Sequence, residues 1–171
     1  MANKRYLTVR QRALRQLKKE LEKINGGAGY NNRVQEVDIT RRIEQATNFN
    51  CGIRINVLKG ESPDKMCAGR EYEYIPIEIW FYKQRIQDVA DEFEMFVHDI
   101  RKALNCPVFL DESHPQPQMT GIVLDGGGAT PLYDSPDGTV QGYIDYVMEI
   151  FYSENDDRLW DDTYDNLVEV T

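Results

Sequence analysis

The residues of this chain that could carry chemistry fall into a few groups, and each lacks a partner that its reaction needs. Ser62, Pro63, Asp64 and Lys65 match the S-x-x-K pattern of a serine nucleophile with a lysine base. No S-D-N or K-T-G sequence accompanies them, and 171 residues are too few for that enzyme class. Asp134-Ser135-Pro136-Asp137-Gly138 has the composition of a calcium loop. Placing Gly138 at the invariant sixth position puts Tyr133 first and Ile144 twelfth, where acidic ligands are required. Asp137-Gly138 therefore reads as a tight turn. Gly126-Gly127-Gly128 is followed by no Lys-Ser/Thr pair and opens no helix, so it makes no phosphate cradle. His98 and His114 are spaced for neither a metal nor a triad. Asp88, Asp91, Glu92 and Asp99 fall along the polar face of a helix, where an open row of carboxylates is solvated rather than paired for proton transfer. Cys51, Cys67 and Cys106 form no C-x-x-C pair and read as free thiols of a reducing cytosol. The expectation is a non-enzymatic protein with no cofactor and no metal.

A different chemistry stands out on the strands. From Glu71 to Tyr82, Ile75, Ile77, Ile79 and Phe81 alternate on one side, and Tyr72, Tyr74, Trp80 and Tyr82 occupy the other. The final strand repeats the arrangement, with Tyr143, Val147 and Phe151 opposite its apolar face. A solvated strand face is usually charged or rich in threonine. An aromatic one has the composition of a buried protein–protein interface, or of a surface covered by another part of the same chain.

These residues must be held by a core, and the stretch from Glu71 to Leu104 supplies it. The alternating strand passes directly into a helix whose apolar stripe is Ile86, Val89, Ala90, Phe93, Val97, Ile100 and Leu104, so each buries the other. Before it, residues 8–25 form a helix with Ala13, Leu14, Leu17, Leu21 and Ile24 inward, a Thr8 cap and a Gly26-Gly27 stop. Arg12, Arg15, Lys18, Lys19 and Lys23 make its outer face basic, either solvated or set against phosphates. A strand is expected over 33–39, with Val37 and Ile39 on one side. A polar loop follows over 40–50, with Arg41 and Arg42 at its start. Residues 52–60 give a strand with Ile53, Ile55 and Val57 aligned, and 61–70 a loop. After Pro107 come a rigid loop (113–118), a short strand (121–126), a glycine-rich loop (126–138) and a long strand from Thr139 to Tyr152 near the centre of the sheet. The fold class is α+β, a mostly antiparallel mixed sheet with two main helices on one face. It forms a single domain over 1–153, with an acidic C-terminal arm over 154–171.

Charge is distributed unevenly along this order. The total is −9. Residues 1–25 hold eight Lys/Arg against two Glu, a net of +6, and residues 154–171 hold seven Asp/Glu against one Arg, a net of −6. Such ends either pair, within or between subunits, or are solvated separately. Trp160, Tyr164 and Leu167 at i, i+4 and i+7 allow the arm one amphipathic turn against a neighbour. No apolar run reaches the roughly 20 residues of a membrane span, and the N-terminus has no apolar signal region.

The order of a basic N-terminal helix, a strand ending in Ile53-Arg54-Ile55-Asn56-Val57-Leu58-Lys59-Gly60-Glu61, the long strand-to-helix step, the late glycine-rich loop and a last strand ending at Phe151-Tyr152 resembles the tail terminators, or tail completion proteins, of long-tailed bacteriophages. The resemblance covers residues 8–153 and rests on architecture, not on an invariant motif. It implies a virion protein at the tail–neck junction, made in the host cytoplasm. Such a protein forms a hexameric ring on the tail tube protein, ends tube polymerisation, and presents a joining surface to the head–tail connector or neck protein. DNA passes through the lumen without specific binding, and an acidic surface at Asp88, Glu92 and Asp99 lining that lumen would let it slide. Alternatives are a head-completion or neck protein on the portal side and, from another class, a nucleic-acid-binding adaptor using Arg12, Arg15, Lys18 and Lys19.

Overall fold

The computed structural model describes residues 9–40, 50–59, 64–66, 70–84, 87–105, 108–109, 119–120, 128–132 and 138–153. The first helix, α1, spans Val9–Glu22. Its apolar residues Ala13, Leu14, Leu17 and Leu21 recur at three and four and are buried, as is Ile24 just past its end. The chain reverses after it at Gly26, whose φ of 76° lies in the left-handed region that glycine adopts without strain. The Val34 N–H then returns to the Ile24 carbonyl at 2.9 Å.

Strands β1 (Glu36–Thr40), β2 (Cys51–Val57) and β3 (Asp64–Met66) precede the central strand β4 (Arg70–Gln84). Helix α2 spans Val89–Ala103 and is followed by the small pair β5 (Val108–Phe109) and β6 (Met119–Thr120). Strand β7 (Ala129–Pro131) leads to β8 (Thr139–Ser153). The main sheet runs β1-β2-β4-β8-β7, with β3 paired to β4 beside it. Among the described strands only the β1–β2 pairing is parallel, so the sheet is mixed and mostly antiparallel, within an α+β fold.

Two segments expected as loops therefore contain strands, and a further short strand falls where no element was assigned. β3 lies within 61–70, β7 within 126–138, and β6 begins directly after the Pro-rich segment 113–118. Each is two or three residues long, too short to show an alternation; β3 and β7 pair along the long strands β4 and β8, and β6 pairs with the equally short β5. The strand expected over 121–126 lies outside the described residues, as do 41–49 of the polar loop expected over 40–50, whose first residue, Thr40, closes β1. Pro76 sits inside a central strand, where a missing N–H would normally break the ladder. Its carbonyl accepts the Leu58 N–H at 3.0 Å, so the absent donor points just beyond the end of β2.

Both helices pack on one face of the sheet. Ile53 and Ile55 of β2, Ile75, Ile77, Ile79 and Phe81 of β4, and Val140, Ile144, Tyr146 and Met148 of β8 form one core with them. Asp88 caps α2 by accepting the Asp91 N–H at 3.3 Å, with Asp91 and Glu92 in the first turn and Arg101 and Lys102 in the last, favourable to the helix dipole. The stripe of α2 is wider than its three-and-four spacing predicts. Phe96 is fully buried and stacks on Phe81 at 4.7 Å, whereas Ala90, expected inside, is exposed. Phe93 presses on β8 at Gly142, where a Cβ would come within 2.6 Å of its ring and 2.7 Å of the Thr130 carbonyl. A glycine is what lets the helix sit this close.

Asp99 corrects the sequence reading. Expected on a solvated face and as a lumen-lining acid, it is wholly buried. It accepts the backbone and side-chain N–H groups of both Asn31 and Asn32 at 2.7–3.2 Å, which ties the α1–β1 connection to α2. Glu92, another expected lumen acid, is half-buried and pairs with Lys83 at 2.6 Å.

Candidate interaction surface

Strand alternation leaves the other face of the sheet to Arg54 and Asn56 of β2, Tyr74, Pro76, Glu78, Trp80 and Tyr82 of β4, and Tyr143, Asp145, Val147 and Glu149 of β8. Antiparallel pairing sets them in rows across the sheet. Arg54, Trp80 and Tyr143 make one row; Asn56, Glu78 and Asp145 the next; then come Pro76 with Val147 and Tyr74 with Glu149. Trp80 and Tyr143 stack at 4.7 Å with their planes 27° apart, a favourable offset arrangement. The Trp80 indole N–H donates to one carboxylate oxygen of Glu78 at 2.7 Å, and Asn56 donates to the same oxygen at 2.9 Å. The aromatic pair is thus held in one orientation before anything covers it.

Directly across from Glu78, Asp145 is exposed. Partial burial, and then the neighbouring Glu78 charge, push its carboxyl above the usual aspartate value. Two acids thus stand side by side on a half-buried aromatic surface, with Glu78 held by the neutral donors Asn56 and Trp80.

The expected interface residues separate into four groups. Trp80 and Tyr143 are half-buried neighbours and Tyr74 is 39% exposed, all on this face. Tyr82 shares the face but is only 7% exposed, because its ring lies across Gly52, where a Cβ would fall 2.5 Å from its hydroxyl. Here the covering comes from the chain itself. Tyr72 and Phe151 are register partners at the far end of β4 and β8, with side chains outside the described set. Arg41, Arg42, Trp160, Tyr164 and Leu167 also lie outside the described residues.

A second polar assembly, not anticipated from the sequence, lies on the helix side. Lys83 donates to Asn32 at 2.9 Å and to Glu92 at 2.6 Å, extending the Asp99 network. Cys51 lies within the field of these charges, and burial pushes its thiol up to about 11, so it stays protonated and a poor nucleophile. Tyr146 is similarly pushed up to about 12 by burial, with the Arg101 guanidinium opposing the shift. Both groups are fixed in their uncharged forms, as suits a core rather than a reaction centre. Among the described residues no group of three His, Cys, Asp or Glu is arranged to hold a metal ion, and no helix is long and apolar enough to cross a membrane.

Compared with models of known protein families and with curated protein sequences, the chain matches none.

Proposed function

We propose that this chain is a structural virion protein that assembles as a ring on the end of a phage tail tube, ends its polymerisation and joins it to the head connector. The observation that carries this reading is the pre-organised aromatic pair Trp80–Tyr143 on the face of the sheet opposite both helices. Its immobilisation by Glu78 and Asn56 removes the entropic cost of ordering it on contact, which favours a binding surface over a reactive one. The unreactive state of Cys51 and the structural employment of Asp99 and Lys83 support the same reading. The architectural resemblance to tail terminators supplies the particular assembly.

The test is the mass of the chain in solution, with negative-stain images alone and in the presence of tail tube protein. The expected result is a six-fold ring. Trp80→Ala combined with Tyr143→Ala should leave a folded chain with no ring, since aromatic anchors at interface centres contribute about 2 kcal/mol or more each. A double variant that still forms rings removes this face from the assembly, and one that fails to fold returns the pair to an intrachain role.

A further inference from the structure

The outer face of the sheet has a polarity that selects its partner. Asp145 and Glu149 lie on the same side of β8, about 13 Å apart at strand rise, and Glu78 stands beside the first of them. The part of the chain with a net positive charge to match is residues 1–25, at +6. On α1 the exposed residues Arg15 and Lys19 stand one turn apart, and Lys23, just past the helix end and paired with Glu20, continues the line to about 12 Å. The two charge rows are opposite in sign and similar in length. They cannot meet within one molecule. Leu14, Leu17 and Leu21 hold α1 against the opposite face of the sheet, so its basic stripe points away from the acids with the whole sheet between.

We infer that the face bearing Glu78, Asp145 and Glu149 docks the basic stripe of α1 from a second copy of this chain. This inference rests on the ring-forming reading and names the two surfaces that meet. Contact between unlike faces is head-to-tail, the arrangement that generates rings when the rotation closes. Trp80 and Tyr143, beside the acids, offer a π-face to an incoming arginine such as Arg15. Like charges that repel within one sheet become a matched set once the neighbour's helix covers them.

The test uses the full chain and three variants: Asp145→Lys with Glu149→Lys, Arg15→Glu with Lys19→Glu, and all four together. Circular dichroism confirms that each is folded, and sedimentation velocity at low and high salt reads the mass. Each double variant should raise the protein concentration needed for assembly about tenfold or more, and the quadruple variant should recover to within about threefold of the parent chain. Double variants that assemble like the parent overturn the inference and leave the ring standing. A quadruple variant that stays dissociated also overturns it. So does assembly lost only when residues 154–171 are deleted, which gives α1 to the acidic arm instead. A parent chain that is monomeric at every concentration, with tube protein present or absent, overturns the ring and the inference together.

Discussion

Asp99 shows how far one buried carboxylate can determine local structure. Its two oxygens accept four N–H groups from Asn31 and Asn32, so the turn after α1 is shaped around a side chain of α2. Asp99→Asn replaces an acceptor by a donor facing donors. It should destabilise the chain by about 2–4 kcal/mol in urea unfolding, with the denaturant slope unchanged. The burial of Asp99 was legible in its position though not in its type. It follows Phe96 by three and precedes Ala103 by four, which places it on the buried stripe. Reading it as a solvated acid let chemical type outweigh spacing. Its partners were beyond reach, because nothing local to Asn31-Asn32 announces an acceptor brought from a distant helix.

On β4 and β8 the alternation identified both faces, and the structure keeps them. What alternation does not carry is register, since the partner of each residue is set by how two distant strands slide together. The opposition of Glu78 and Asp145, the stacking of Trp80 on Tyr143 and the burial of Tyr82 by Gly52 all follow from that register. The Glu78–Asp145 row has a measurable consequence. Asp145 holds its proton more tightly in the folded chain than in the unfolded one, where its pKa is near 3.8. The stability this contributes is complete below that value and is lost as pH rises through the raised folded-state pKa. Asp145→Asn removes the loss. Its urea midpoint should therefore gain on the parent chain as pH is raised from about 3 to 7, and a constant difference across that range would mean that neither burial nor Glu78 raises the Asp145 pKa in the folded chain.

For the whole molecule, the decisive arrangement is β4 between β2 and β8, with both helices on the same side. Backbone groups from Ile77 to Phe81 are flanked by partner strands on both edges. Their amides should exchange with solvent only on global unfolding, while those of β3 and β7, at the sheet margins, exchange much sooner. Hydrogen exchange read by mass spectrometry tests this, and uniform protection would mean that the sheet opens as one unit. The two-layer plan was legible because Ile75 to Phe81 and Phe93 to Leu104 change period within a few residues. The marginal strands were not, because two or three residues hold no period. The β4–β8 ladder joins fifteen consecutive residue pairs, from Arg70 with Ser153 to Gln84 with Thr139. In the ring proposed above, with a tube at one side and a head at the other, tension drawn along these strands would be shared by all the rungs together. The bonds would then have to fail in shear as a set, not peel one after another, and β4 and β8, which carry the Trp80–Tyr143 pair, would also be the strands best able to bear that load.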